Sequence, residues 1–186
     1  MTTVSDDDLL IRCRTDRAAM GELYERHARA VHRYLSRRAG TAAADDLLGD
    51  VFVAALAVRH RVQPHDSGSA LPWLYGISAN TLRTYRRRRT APLAAPLDTD
   101  LVDWDAVDAR LDAGAQRSGL RQALASLSDA DRELLLLIAW EGLSPAEAGV
   151  ALGLTPVAAR SRLHRARTRA QAALQALPKP INEEIA

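Results

Sequence analysis

An acidic stretch near the middle of the chain most constrains how its 186 residues can fold. Residues 93–115 carry six aspartates and only one arginine, and the stretch follows Pro92 and contains Pro96. Such a segment buries too little apolar surface to form a packed core, so we predict that it is a flexible linker. The linker divides the chain into two blocks, residues 1–92 and 116–177, each long enough to form one small domain.

Both blocks are predicted to be helical. Hydrophobic residues make up 47% of the chain but aromatic residues only 4%, so alanine and leucine supply most of the apolar surface, which favours helices over sheets. No apolar run approaches the ~20 residues that span a bilayer, and the acidic start of the chain differs from a signal peptide. We therefore expect a soluble, cytoplasmic, all-α protein without membrane insertion. Residues 178–186 form a short tail, for which a disordered end is favoured over a partner contact or a degradation signal.

The first block contains the signals of four helices. Ser5 is the predicted N-cap of the first helix, and apolar residues at helical spacing predict a second from about residue 15 to Gly40. A third is predicted to begin near Ala43, and a fourth begins at Pro72 after a polar loop. The fourth helix runs into a cluster of arginines: Arg83, Arg86, Arg87, Arg88 and Arg89.

The second block has the helix start and stop signals of a helix-turn-helix. Ser128 is a predicted N-cap, and residues 144–147 (Ser-Pro-Ala-Glu) form a capping box with proline at the first helical position. Residues 153–155 (Gly-Leu-Thr) then join this short helix to one that bears five arginines. This spacing favours a DNA-binding helix-turn-helix, whereas the alternative is an ordinary helical hairpin with a solvated basic face.

The last helix is predicted to have one buried stripe and one exposed basic surface. Small and apolar residues recur at helical spacing and form the predicted stripe: Ala159, Leu163, Ala166 and Ala170. Four polar residues of its N-terminal half lie outward and could reach base edges or phosphates: Arg160, Ser161, His164 and Arg165. The other arginines are predicted to touch phosphates or only water: Arg162, Arg167 and Arg169.

The sequence contains no pattern typical of an enzyme. The single cysteine, Cys13, excludes an internal disulfide and a multi-cysteine zinc site, and we expect it to be a small buried hydrophobe. There is no phosphate-cradling glycine loop. The histidines are scattered without metal-ligand spacing: His27, His32, His60, His65 and His164. We therefore expect no catalytic residues, no metal and no cofactor.

Three strings give the chain a family resemblance. They are residues 45–52 (Asp-Asp-Leu-Leu-Gly-Asp-Val-Phe), 73–80 (Trp-Leu-Tyr-Gly-Ile-Ser-Ala-Asn) and 160–167 (Arg-Ser-Arg-Leu-His-Arg-Ala-Arg). In this order the chain resembles an extracytoplasmic-function (ECF) sigma factor of the sigma-70 family over residues 5–90 and 117–176. The resemblance implies a sigma-2-like bundle for core RNA polymerase and the −10 element, and a sigma-4-like helix-turn-helix for the −35 element, joined by a flexible linker.

The resemblance implies that the third helix docks on polymerase. Asp46 and Asp50 are four residues apart, so their carboxylates project from one helix face. In the family this acidic helix docks on the clamp helices of the largest polymerase subunit, and we assign Asp46, Asp50 and Phe52 to that contact. The alternative is a pair of solvated carboxylates. Asp45 is predicted to stabilise the helix start, and Gly49 stands where the family usually has a larger polar residue.

The resemblance also implies a strand-opening region, formed by the loop at residues 62–71 and the fourth helix. The family extrudes a base beside this loop, and Asn80 could read a base edge. Trp73 could stack on a base, although an aromatic at helical spacing is more often part of the core. The arginines that follow suit contacts with the DNA backbone: Arg83, Arg86 and Arg87.

The favoured function is therefore an RNA polymerase sigma factor that directs core enzyme to promoters and helps melt the −10 region. A stand-alone helix-turn-helix transcriptional regulator is the alternative, and an RNA-binding adaptor is a third hypothesis. Two features distinguish the sigma factor from the regulator: the acidic face of Asp46 and Asp50, and the helix from Trp73 to Asn80 that follows it. A repressor needs neither of them. The resemblance adds an anti-sigma factor as a possible partner.

Overall fold

A computed structural model describes residues 4–90 and 114–176, and within these residues the chain forms eight α-helices and no strand. The all-α prediction is therefore confirmed. Most of the predicted linker and the predicted tail lie outside the described residues. In the first block the helices are α1 (Asp6–Arg12), α2 (Arg17–Ala39), α3 (Thr41–Val58) and α4 (Leu71–Thr90). In the second they are α5 (Gly114–Ala125), α6 (Asp129–Ala139), α7 (Pro145–Ala151) and α8 (Pro156–Gln175).

Three of the predicted helix starts are confirmed by their cap hydrogen bonds. The Ser5 hydroxyl accepts from the Asp8 N–H at 3.1 Å, and the Ser128 hydroxyl caps α6 in the same way. Ser144 and Glu147 satisfy each other's backbone N–H groups at the start of α7, at 3.2 and 2.8 Å. These local bonds satisfy N–H groups that a helix leaves without partners.

The start of α3 differs from the prediction. The helix begins at Thr41, immediately after Gly40, whose φ of +79° reverses the chain between α2 and α3. Asp45 therefore lies beyond the first turn and was wrongly assigned to the helix start. Its Oδ1 lies 2.9 Å from Nε2 of His32, so this side chain ties α3 to α2 instead.

The two blocks pack together through one hydrophobic core. Buried residues of α2, α3 and α4, among them Leu23, Val51 and Leu74, belong to the same cluster as Leu134 and Leu137 of α6. The principal contact lies between α4 and α7. A Cβ atom on Gly76 of α4 would lie only 2.9 Å from the backbone oxygen of Ala151. Only glycine allows this approach.

Buried charges cross the same boundary. The Arg38 side chain is 1% exposed, and its guanidinium lies 3.2 Å from both the Glu133 and the Glu141 carboxylates. The Tyr34 hydroxyl donates to Glu133 at 2.7 Å, and the guanidinium stacks 3.7 Å above the Tyr34 ring. Burial alone would lower the pKa of Arg38, but Glu133, Tyr34 and Glu141 raise it overall. The two blocks are therefore joined by a paired buried charge as well as by apolar surface.

No helix within the described ranges is both long and apolar enough to span a membrane.

Candidate protein- and nucleic-acid-binding surfaces

The exposed surface of α8 brings four predicted DNA-binding residues together. Its opposite side is buried, with Ala159, Leu163 and Ala166 at most 4% exposed, which confirms most of the predicted stripe, and Ala170 is partly buried. The four side chains on the outward side are all exposed: Arg160, Ser161, His164 and Arg165. Spacings of three and four residues place them on adjoining turns. The resulting ridge presents two guanidinium groups, an imidazole and a hydroxyl.

Two other arginines of α8 make a contact that was not predicted. Arg162 Nε lies 3.4 Å and Arg169 Nη1 lies 3.6 Å from the carboxylate of Asp131, which lies in the first turn of α6 and is 9% exposed. Each therefore has an ion-pair partner on α6, because an acidic residue that is distant in the sequence lies opposite them. Arg167 is exposed, as expected.

The helix-turn-helix prediction is confirmed by the packing of α7 on α8. The turn passes through Gly153, whose φ is +66°, and the Leu154 N–H donates to the Gly149 carbonyl at 2.8 Å. A Cβ atom on Gly149 would lie 3.0 Å from that of Ala159. This close approach sets the angle at which α8 leaves the turn.

The outer surface of α3 is acidic with an apolar end. Asp46 and Asp50 are exposed side by side, and Val53, one turn further along, is 70% exposed. Phe52 is not on this surface: it is 8% exposed and its ring packs edge-on against Tyr24, with centroids 4.8 Å apart. Our sequence reasoning missed Val53, although its spacing of three from Asp50 was a sufficient signal.

The predicted residues of α4 divide between surface and interior. Asn80 is exposed, and its Oδ1 accepts from Arg83 at 2.7 Å. Arg87 is exposed too, whereas Trp73 is partly buried against the core. Arg86 turns inward and donates to the Arg38 carbonyl at 3.4 Å.

Partial burial also changes the pKa of Arg86. Desolvation is the largest influence on its guanidinium and lowers the pKa of Arg86, although Glu133 opposes that effect. The structure therefore brings Asn80, Arg83 and Arg87 to one accessible side of α4, and it places Arg86 at the boundary between the blocks.

The loop before α4 is polar and contacts α7. A turn closes it where the Gly68 N–H donates to the His65 carbonyl at 2.8 Å. Burial would raise the pKa of Glu147 in α7, but hydrogen bonds from Ser144 and Ser67, together with nearby His65, lower it overall. The loop residues Ser67 and His65 therefore face the start of α7 in this arrangement.

Two family models match the chain in the order of the two blocks. The model described as Sigma-70 region 2 matches residues 23–91, and that of Sigma-70, region 4 matches residues 117–169. Their limits fall inside the two helical blocks.

Named relatives cover nearly the same span. RNA polymerase sigma factor NccH of Alcaligenes xylosoxydans xylosoxydans is 32% identical over 94% of this chain and 98% of its own length. ECF RNA polymerase sigma factor SigD of Mycobacterium tuberculosis is 32% identical over 81% of this chain and 74% of its own length.

Solved structures with the same fold include CnrH in complex with the cytosolic domain of CnrY. It has a TM-score of 0.59 and 25% identity, and the match covers 93% of this chain and 99% of that one. The sigma factor RpoE of Bartonella quintana, in complex with the anti-sigma factor NepR, has a TM-score of 0.53 at 20% identity. That match covers 85% of this chain and 98% of that chain, and it shows the fold alone.

Proposed function

The chain belongs to the extracytoplasmic-function sigma factors of the sigma-70 family, and from that premise we propose how its surfaces direct core RNA polymerase to promoters. Residues 1–92 form the unit for the polymerase and the −10 element, and residues 116–177 the unit for the −35 element. Residues 93–115 tether the two. The polymerase supplies all the chemistry, so this protein acts as a non-enzymatic specificity subunit in the cytoplasm, where polymerase works.

The −35 element is assigned to the exposed ridge of α8. An arginine side chain can donate two parallel hydrogen bonds to O6 and N7 of guanine. Arg160 and Arg165 have no carboxylate partner among the described residues, so their guanidinium groups are available for this contact. Ser161 and His164 can add contacts to phosphates or bases. The ion pairs of Arg162 and Arg169 with Asp131 support this division, since they hold α8 in place while its outer side stays available.

The −10 element is assigned to α4 and the loop before it. Asn80 carries both a donor and an acceptor for a base edge, and Arg83 and Arg87 lie on the same accessible side for contacts with the DNA backbone. Trp73 borders this region from a partly buried position. Extruding a base costs a few kcal/mol of unstacking, which a fitted pocket must repay through contacts with the unpaired base.

Polymerase docking is assigned to the outer surface of α3. Two adjacent carboxylates beside an exposed valine suit a basic partner surface with an apolar spot, such as the clamp helices of the largest polymerase subunit. Phe52 supports the surface from below through its contact with Tyr24.

We also propose that the two units separate when both promoter elements are held. The −10 and −35 elements are named for their positions relative to the transcription start, so they lie about 25 base pairs apart, which is ~85 Å along B-DNA. The recognition helix α8 is about 30 Å long, and the two units lie in contact through α4 and α7. We therefore assign the packed arrangement to the free protein. Because the similar protein CnrH was solved with the cytosolic domain of CnrY bound to it, we also propose a protein partner for this chain, and the family resemblance suggests an anti-sigma factor.

The observation that carries the proposal is the order of surfaces along one chain: an acidic docking surface, a strand-opening helix and a basic recognition helix. A stand-alone regulator has no use for the first two, so it is not favoured. The test is in vitro transcription with purified core polymerase on a genomic promoter library. Discrete start sites that depend on the added protein are expected. Tight operator binding by the free protein with no start site would support the regulator instead.

A charge-reversed variant tests the docking surface within the same assay. Asp46→Arg combined with Asp50→Arg places two positive charges where a basic partner is expected, so co-purification with core polymerase and dependent transcription are both expected to be lost. Both positions are exposed, so the fold is expected to be retained. The control is Glu25→Arg in α2, a charge reversal at an exposed position outside α3. Normal co-purification of the α3 variant would remove the assignment.

A further inference from the structure

The loop between α3 and α4 is held at both ends by the N-terminal part of the chain. At its start, the Arg14 guanidinium donates two hydrogen bonds to the Val62 carbonyl, at 3.0 and 2.6 Å. At its end, the Ala70 N–H donates to Oδ2 of Asp6 at 2.9 Å. Asp6 begins α1 and Arg14 follows its end, so one short helix reaches both ends of the loop. We refer to Asp6 and Arg14 as the loop clamp.

The carboxylate of the loop clamp is itself held in place. Asp6 is 11% exposed in its side chain, His27 Nε2 lies 2.7 Å from its Oδ2, and Arg26 Nη1 lies 3.2 Å from its Oδ1. The same Arg26 nitrogen donates to the Val4 carbonyl at 2.6 Å. These side chains flank the Asp6 carboxylate while its Oδ2 accepts from the Ala70 N–H. A side chain held from several sides can determine the position of the backbone it binds.

The rest of the loop has little else to determine its shape. Val62 and Ala70 are buried, but the residues between them are polar or exposed, and none adds an apolar anchor. Within the loop, the turn from His65 to Gly68 and the contact of His65 with Ser67 order the tip, and Ser69 accepts from the Leu71 N–H. The contact of Ser67 with Glu147 belongs to the arrangement in which the two blocks are packed together. Once the blocks separate, the loop clamp still fixes where the tip lies relative to α4.

We propose that Asp6 and Arg14 are positioning residues that hold residues 62–70 in the conformation that receives the unpaired −10 base. This inference rests on the proposed function. An unclamped loop would have to be ordered when the base enters, and that loss of conformational entropy would weaken capture. The clamp lies before residue 23, where the match to the Sigma-70 region 2 model begins. A contribution to promoter opening is thus assigned to a segment outside the matched region.

The test compares three variants of the full chain assembled with core polymerase. Asp6→Ala removes the acceptor for Ala70, and Arg14→Met removes both hydrogen bonds to Val62 while it keeps an apolar stem. Asp6→Asn retains an oxygen that can accept from Ala70. Arg12→Ala is the matched control, because Arg12 lies on the same helix, half exposed, and pairs only with Asp16 among its described contacts.

The probe is a fluorescent library of single-stranded oligonucleotides in which the −10 segment is randomised. We expect Asp6→Ala and Arg14→Met holoenzymes to bind the sequences selected by wild type about tenfold more weakly, with a flatter base preference, because the loop is no longer preorganised. Asp6→Asn is expected to recover part of the loss, and Arg12→Ala to match wild type. Hydrogen exchange at the Ala70 amide should accelerate in Asp6→Ala, whereas assembly with core polymerase should be unchanged.

Each other outcome decides against a specific claim. Wild-type affinity and base preference in the variants, with faster exchange at Ala70, would overturn the clamp inference. Loss of assembly with core polymerase would show that the two residues only support the fold, and it would overturn the inference as well. A wild-type holoenzyme that selects no sequence from the library would instead overturn the proposed −10 function. If Asp6→Ala does not fold, Arg14→Met decides, because it leaves every contact of Asp6 in place.

Discussion

Arg38 carries a positive charge into an almost completely buried position between the two blocks. Two carboxylates and a tyrosine ring surround it, and their interaction with the guanidinium outweighs the cost of removing it from water. Nothing in residues 34–38 indicates this role, since the run reads as the end of an ordinary basic helix. Its partners, Glu133 and Glu141, lie about a hundred residues away in the sequence.

Removing the Arg38 charge should leave two carboxylates facing each other at the boundary. We expect Arg38→Met to lower the free energy of unfolding by about 3–5 kcal/mol, because a buried charge that loses its partner keeps its desolvation cost. Denaturant titration measures the change. Adding Glu133→Gln and Glu141→Gln should recover part of the loss. Arg12→Met, at an exposed pair, should cost at most about 1 kcal/mol; an equal loss there would argue against a special role for Arg38.

Two buried tyrosines predict alkaline destabilisation. Burial raises the pKa of Tyr75 from its ordinary 10.0 to about 12, and burial with Glu133 raises the pKa of Tyr34 well above its ordinary value. Above about pH 10 the unfolded chain loses protons that the folded chain keeps. The two tyrosines therefore leave the free energy of unfolding unchanged below about pH 10 and lower it as the pH rises towards 12.

The Tyr75→Phe variant isolates one of these groups. Its free energy of unfolding should decline less steeply than that of wild type between about pH 10 and 12. The reason is that the variant lacks the Tyr75 hydroxyl, whose pKa is higher in the folded than in the unfolded chain. Denaturant titrations at a series of pH values measure the slope. Parallel curves for the two proteins in this range would contradict the assignment to Tyr75.

At the scale of single elements, α8 makes different contacts on its different sides. Its arginines are alike in the sequence, yet Arg162 and Arg169 bind Asp131 on α6, whereas Arg160 and Arg165 lie on the exposed ridge. Helical periodicity predicted the buried stripe and the outward residues. It could not predict the Asp131 pairs, because they depend on how α6 crosses α8.

The division of α8 predicts different consequences for two similar substitutions. Arg165→Ala should weaken binding at the −35 element by about 1–3 kcal/mol and relax base preference at one position. Arg162→Ala should chiefly lower the free energy of unfolding, by about 1 kcal/mol or less, because its ion pair is partly exposed. Binding of holoenzyme to −35 variants and denaturant titration measure the two effects. The assignment would be contradicted if Arg162→Ala changed base preference and Arg165→Ala did not.

At the scale of the whole molecule, the two blocks share a core and also a point of very close backbone approach. Gly76 lies against Ala151, and any side chain there must push α4 and α7 apart. The same boundary holds Arg38 and covers part of the loop before α4 through Glu147. The packed arrangement thus places the predicted −10 region beside the second block.

Gly76→Leu should therefore loosen the packed arrangement of the free protein, because the added side chain must separate α4 from α7. We expect a larger radius of gyration for the free variant in small-angle scattering, and assembly with core polymerase at least as efficient as that of wild type. Gly21→Leu in α2 is the control, because a Cβ atom there meets nothing within 4 Å. An unchanged radius of gyration together with reduced assembly would show that the contact supports the fold rather than restrains opening.

The helices, their caps and the composition of the exposed surfaces could be predicted because each depends on residues within a few positions of one another. Ser144 and Glu147 form their capping box from adjacent turns, and the stripe from Ala159 to Ala166 follows from helical spacing. The start of α3 was misjudged by two residues, since Gly40 ends one helix and directly precedes the next.

The contacts that join distant segments could not be predicted. Asp6 reaches Ala70, Arg14 reaches Val62 and Arg38 reaches Glu133 only because helices cross at particular angles and registers. Periodicity says which side of a helix faces inward, but not which side chain lies opposite. The amino-acid sequence by itself thus determined the helices and the chemistry that each could offer, whereas the tertiary structure decided which charges are paired and buried and which remain available for partners.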